Sequence, residues 1–551
     1  VSPAAASSPV TVTEIADRYL DDRARLDPVE AVRDGSDLDG TALTDYSPDG
    51  WSELARWRRS VLAALDAARA PVDEAERLGA RFLRDEGAAE LDLIEQGEHT
   101  RLPSTIVGPP SSIRMVFDLM DPSGPAGWEP IVRRLEAVPT ALAGYRASLA
   151  ATLERREPAS RRLVVALAQQ CRTWAGPPSW FDRLARGASA PGALAPVAQA
   201  AGAAYGDLAD WLLRDYAPRA VDVDGVGSDR YLRWARAMLG TSLDLDDAYA
   251  WGVEEWRRIE ADKVRECARI SPGAPYGEVV AGLSDPASGL VGVEAYRDWL
   301  QARTDAATDL VDGTEFDVPP ELRRCVASIP PEGSAAAPYY TAPSQDRSRP
   351  GRTWWPTLGE QRFPLWDKAT VVFHEAVPGH HLQAVAVATA PLTRAHRRAF
   401  LSAHGEGWAL YAERLMDELG WFDTPETRLG FLCSQAFRAA RVVIDIGLHT
   451  GRTVPAGMPG AGAPWTVEAA EAALRQAGGL SEAFARSEVL RYLSWPAQAT
   501  TYKLGERTWL DGRADARRRA GAAFDRKAWH TRALSLGALG LDALADELGR
   551  C

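Results

Sequence analysis

The sequence predicts a mainly α-helical fold with a small β element beside a histidine-bearing helix. Three observations predict it. From Val10 to about Ala268, apolar residues recur at helical spacing in segment after segment. Between Phe316 and Thr357 that periodicity stops, and prolines and glycines separate short apolar pieces, which suits a few short strands and loops. Then comes Thr370 to Gln383, TVVFHEAVPGHHLQ, which holds three of the chain's eight histidines next to a glutamate.

The first part of the chain supplies the helices of an amino-terminal lobe, expected over residues 10–315. SELARWRRSVLAALDAA puts Leu54, Trp57, Val61, Leu62 and Leu65 on one side, after a Ser-Pro-Asp-Gly start signal at Ser47 to Gly50. The segments IVRRLEAVPTALAGYRASLAATL, RRLVVALAQQCRTW and AAAYGDLADWLLRDYAP repeat the style, with breaks at VGPPSS and GPPSW. No fixed period recurs, so a solenoid is not expected. Aromatic residues here are expected to pack the core.

Residues 316–545 are expected to form a second, metal-bearing lobe. In its irregular opening, Ala337 to Thr341, with Tyr339 and Tyr340, reads either as a strand on which extended substrate could dock by strand addition or as a plain hairpin. Arg349 follows on a Pro-Gly turn, where its guanidinium suits a carboxylate.

The histidine stretch carries the chemistry. His374 and Glu375 end an apolar run as the first two residues of a zinc hydrolase motif do, in which two histidines four apart share a helix face. Here the next histidines lie six and seven residues on, at His380 and His381. An undistorted helix would point His380 roughly 120° away and carry His381 about 10.5 Å along the axis. The Pro378-Gly379 pair is where a local bulge is expected, and two extra residues there would return His380 to the i+4 direction. His374 and His380 are therefore the expected ligands of one zinc ion per chain, Glu375 the general base, and His381 a support for a ligand or a contact to substrate.

A catalytic zinc usually takes a third protein ligand from elsewhere. In SAHGEGWALYAERLMDELG, Trp408, Tyr411, Leu415, Met416 and Leu419 form a core-facing stripe, and Glu406 lies between two glycines that would let it approach a metal. Downstream, Arg438, Arg441, Asp445 and His449 share a helix face, either as a network around a ligand or substrate carboxylate or as an exposed salt-bridged stripe. Near the end, Gln498 and Tyr502 are four apart, with Lys503 beside them as a cation that, with Arg349, Arg438 and Arg441, is expected to meet a substrate carboxylate. A tyrosine hydroxyl there could donate to an oxyanion. His530, in a closing pair of packing helices, is expected to be structural.

The strings VFHEAVPGHHLQ, HGEGWALYAERLMDELG and YLSWPAQATTYKLG resemble those of the bacterial domain of unknown function 885 family, whose members are thought to be zincin-like metallopeptidases. Further likeness includes GVGSDRYLRWARAMLGT, FDVPPELRR and APYYTAPSQDRSRPGRTWW, so it covers most of the chain. The resemblance implies a zincin-like helical architecture around a cleft that would favour short peptides, and places the Tyr502 segment at the active site; the alternatives are a specialised amidase or other carbon-nitrogen hydrolase of a small metabolite, or a metal-binding protein without turnover.

Bulk properties narrow the partners. With 551 residues, 46% hydrophobic and 25% charged, the composition is that of an ordinary globular protein. A net charge of -13 argues against a nucleic-acid partner, and no apolar run is long enough to span a membrane. The opening VSPAAASSPVTVTEIADRYL has no basic segment followed by an apolar one, so no signal peptide is expected there. Five scattered cysteines without a CxxC pair suit reduced thiols and a cytoplasmic protein.

Overall fold

A computed structural model describes residues 10–33, 35, 40–120, 122, 127–187, 191–330, 337–344 and 349–551. The fold is mainly helical with a few short strands. It parts into two compact units. The first comprises Val1–Ala237, Thr393–Arg398 and Leu490–Pro496, and the second Met238–Leu392, Ala399–Val489 and Ala497–Cys551. The expected lobe boundary at 315/316 thus falls inside the second unit, because the helices from Leu245 to Ile270 and from Val293 to Val311 pack against elements later in the chain.

In the first unit the helices start where the sequence signals them. Ser47 caps the helix Pro48–Ala67 by accepting from the Gly50 N–H, and Leu54, Trp57 and Leu65 are buried while Val61 and Leu62 are half-buried. Helices Glu129–Glu154, Arg161–Ala175 and Pro191–Trp211 pack together around a core that includes Leu135, Tyr145, Leu167, Phe181 and Tyr205. Gly108 and two prolines begin the helix Pro109–Leu119, so the expected break at VGPPSS is a helix start. The sequence 1–9 lies outside the described residues.

The second unit contains every described strand. β1 (Leu290–Val291) pairs antiparallel with β5 (Arg362–Phe363). β2 (Cys325–Ser328), β3 (Tyr339–Thr341) and β4 (Gly351–Trp354) form a sheet in the order β2-β4-β3, parallel on one side of β4 and antiparallel on the other. The outer edge of β2 is closed by Gln301, whose side chain donates to the Cys325 carbonyl at 2.9 Å and accepts from the Ala327 N–H at 2.9 Å. The strand-and-loop texture of the sequence is therefore real. Its pieces 331–336 and 345–348 lie outside the described residues.

Four helices of this unit frame the histidine stretch: Lys368–Glu375, Ser402–Glu418, Pro425–Thr450 and Thr501–Ala520. The Ser402 and Thr501 helices pack closely because glycines meet. A Cβ on Gly407 would come within 2.5 Å of the Gly505 backbone, and one on Gly505 within 2.2 Å of the Ala403 carbonyl. Gly405 likewise leaves room for the Phe400 ring. These glycines serve packing, not the approach of Glu406 to a cation that the sequence suggests.

Candidate metal centre

The helix carrying His374 does not bulge at Pro378. It stops at Glu375, and a new helix, His380–Thr389, begins five residues later. The link includes a cis Val377–Pro378 bond and an unusual Gly379 conformation, with φ -71° and ψ -130°. Only glycine fits there, because a Cβ would lie 1.9 Å from the His374 carbonyl oxygen. The Trp408 indole N–H donates to the Pro378 carbonyl at 2.9 Å, so the Ser402 helix fixes the link from outside. A break, in place of the expected bulge, is what brings the two histidines side by side.

The break sets His380 against His374, with ring centroids 4.9 Å apart and planes at 86°. Glu406 completes the group: its Oε2 lies 3.2 Å from His374 Nε2 and 3.7 Å from His380 Nε2. One ligand atom from each of the three lies within 4.8 Å of the others. His374 is buried, and His380 and Glu406 are half-buried. Two imidazoles and a carboxylate are donor types that catalytic zinc sites use, and these three lie close enough to hold one ion.

The electrostatics favour a cation there. Burial opposes a charge on His374, but hydrogen bonds to Glu406 and Glu413 raise it to about 9. Burial also acts against the Glu406 carboxylate, yet the His374 hydrogen bond and the charges of His374 and Arg438 hold it at about 2. Burial lowers His380 to about 4, leaving its ring neutral as a ligand must be. Glu375, outside the three-residue group, is pushed up to about 7 by burial, with Glu406 and Glu413 adding to the effect and His374 and Arg438 opposing it. Such a value suits a proton acceptor near neutral pH.

Glu413 is the member that sequence reasoning missed. It is fully buried, and its Oε1 lies 2.8 Å from His374 Nδ1. The available signal was spacing: it stands seven residues after Glu406, two turns along the same helix, so the two carboxylates share a face.

His381 takes no part in the three-residue group. Its Nε2–H donates to the Leu322 carbonyl at 2.9 Å, so Nδ1 accepts from the Tyr340 hydroxyl at 3.0 Å. The pair ties β3 to the His380 helix. Tyr339, next to it, is exposed and stacks on Trp354 at 6.0 Å. Arg349 is exposed, its backbone N–H donating to Ser344 Oγ.

The four residues of the Pro425 helix are not an exposed stripe, and they serve different ends. Arg438 reaches Ser434 and lies 3.8 Å from Glu413. Arg441 donates to Glu488 at 2.8 Å and packs its guanidinium on the Phe437 and Tyr502 rings, at 4.1 and 4.5 Å. Asp445 is fully buried and accepts from the Ala497 N–H at 2.9 Å, holding a left-handed residue (φ 65°) just before the Thr501 helix. His449 is buried, 3.8 Å from Asp445. Gln498 donates weakly to Ser402 Oγ at 3.4 Å.

Tyr502 is half-buried, its ring 6.4 Å from the His374 ring and within 19° of parallel. Lys503 faces the interior. It is fully buried and donates to Glu255, Gln435 and Glu506, so it cannot meet a substrate carboxylate. His530 is buried as expected, bound to the Tyr411 hydroxyl at 2.6 Å.

The fold and this cluster define a mainly helical protein with a partly buried group of two histidines and a glutamate. The chain belongs to the family described as bacterial protein of unknown function (DUF885), whose model matches residues 28–548. Among solved structures it is similar to one described as a "putative lipoprotein" from Colwellia psychrerythraea, at 21% identity and a TM-score of 0.83, covering 98% of this chain and 99% of that one. Another, from Shewanella oneidensis and described as of unknown function, gives 17% identity and 0.73, covering 98% and 99%. At these identities the likeness is one of fold. No curated protein matches the chain.

Proposed function

We propose that this protein is a zinc-dependent hydrolase of peptide or related amide bonds in short substrates, with a zincin-like site. One observation carries the reading: His374, His380 and Glu406 converge within 4.8 Å while Glu375, next to the first histidine, is left out of the group. A purely structural zinc site closes its coordination with protein ligands and needs no such spare carboxylate. Zinc bound by the three would lower the pKa of water and polarise the scissile carbonyl. Glu375 takes the proton of the attacking water and returns it to the leaving nitrogen, a task for which its raised value near 7 is suited. Tyr502, set beside His374 and braced by Arg441, donates its hydroxyl to the oxyanion.

Of the cations expected to select a substrate carboxylate, Lys503 and Arg441 are committed internally, which weakens that selection. Strand addition along β3 is the docking mode we assign to extended substrates. Hydrolysis of a panel of dipeptides and small amides, with and without chelator, tests the reading. Zinc-restored cleavage by the wild type is expected, with turnover falling at least 100-fold in Glu375→Gln while zinc is retained. Cleavage confined to small amides would make the protein a specialised amidase. No zinc-dependent cleavage of any member would refute the hydrolase.

A further inference from the structure

We infer that Glu413 is a positioning residue that holds His374 by Nδ1 and so presents Nε2 to the metal, and that Gln435 and Lys503 fix Glu413 in turn. The inference rests on the zinc reading of the His374, His380 and Glu406 group. His374 stands between two carboxylates of one helix, with Nε2 at 3.2 Å from Glu406 and Nδ1 at 2.8 Å from Glu413. A ring hydrogen-bonded through one nitrogen offers the other, in a set orientation, as a ligand.

Glu413 is too well satisfied to be a chance ion pair. Its Oε2 accepts from Thr370 Oγ1 at 2.7 Å, Ser434 Oγ at 3.3 Å and Gln435 Nε2 at 3.4 Å. Arg438 supplies charge at 3.8 Å from Oε1, and the residue is fully buried. Thr370 precedes His374 by one helical turn, so the histidine's own helix helps to aim the carboxylate.

Gln435 is itself oriented. Its Oε1 accepts from Lys503 Nζ at 2.9 Å and from Arg414 Nη2 at 3.3 Å. Lysine and arginine only donate, so the amide oxygen must face them, and its NH2 is left to face Glu413. Lys503 is held in place by Glu255 at 2.9 Å and by Glu506, which also binds Arg414 at 2.8 Å. A relay of side chains from three helices thus ends on His374 Nδ1. It gives Lys503 the purpose that its position in the sequence suggested but its burial denies it as a substrate contact.

The test is zinc affinity, measured on the full chain by competition with a chromophoric chelator. Glu413→Leu is expected to raise the zinc dissociation constant roughly 10–100-fold, and Glu413→Asp to recover part of the loss. Nitrogen-15 shifts of His374 in the zinc-loaded wild type provide a readout that needs no variant: Nδ1 protonated and Nε2 metal-bound is the expected result. Unchanged affinity in a folded Glu413→Leu protein, or metal on Nδ1, would overturn the inference while leaving the zinc site standing. A wild type that binds no zinc would instead remove the functional reading on which it rests.

Discussion

At the scale of single residues, a histidine's role follows from what its two nitrogens meet. His374, His380 and Glu406 could be proposed from the sequence because ligand types and spacing are chemical signals, whereas the parts of Glu413, Gln435 and Lys503 depend on burial and hydrogen-bond direction. His381 shows the limit: adjacent to His380 in sequence, it is committed to the Leu322 carbonyl and the Tyr340 hydroxyl. His530 is similarly committed, with Nδ1–H directed at the Glu315 carbonyl and Nε2 accepting from Tyr411. Burial lowers its folded-state value to about 3, against about 6.5 in an unfolded chain. Between those values the unfolded chain binds the proton and the folded one does not, so this histidine's contribution is full above about pH 6.5 and is lost as pH falls towards 3. Thermal unfolding of the wild type and of His530→Gln, followed from pH 7.5 to 4.5, should show a shallower loss of stability in the variant. Parallel curves would mean that His530 does not stay neutral in the fold.

At the scale of elements, the helices were legible wherever a cap and an apolar stripe coincide, as at Ser47 and the helix it begins. Two features were not. The Pro378-Gly379 pair signals a distortion, but whether the helix bulges or breaks depends on Trp408 taking up the freed carbonyls from another helix. The glycines around Glu406 signal close approach, but not to what. The approach is of two helices at Gly407 and Gly505, and it sets Tyr502 beside His374. Gly505→Ala should push these helices apart, since its Cβ would meet the Ala403 carbonyl oxygen at 2.2 Å. Overpacking of this kind costs about 1–3 kcal/mol, which chemical denaturation measures directly. Turnover should fall more than zinc affinity, because Tyr502 rides on the Thr501 helix and the proposed zinc ligands do not. A stability unchanged within about 0.5 kcal/mol would contradict the packing role of the glycine pair.

At the scale of the whole molecule, the mainly helical class was legible from periodicity and family membership from motif strings. The division into units was not, because segments at 393–398 and 490–496 return to the first unit after long excursions, a matter of tertiary packing. Among the described residues no helix is long and apolar enough to cross a membrane, and Cys171, Cys267, Cys325 and Cys433 are buried free thiols. In the second unit three helices, Lys368–Glu375, His380–Thr389 and Ser402–Glu418, bring His374, His380 and Glu406 into one ion-sized group. X-ray absorption at the zinc edge, on protein loaded with one equivalent, tests that convergence most directly. Two histidine nitrogens with the remaining ligands oxygen are expected, with one histidine signal lost in His380→Ala and no change in His381→Ala. A sulfur ligand, an all-oxygen shell, or loss of a histidine signal in His381→Ala and not in His380→Ala would contradict it.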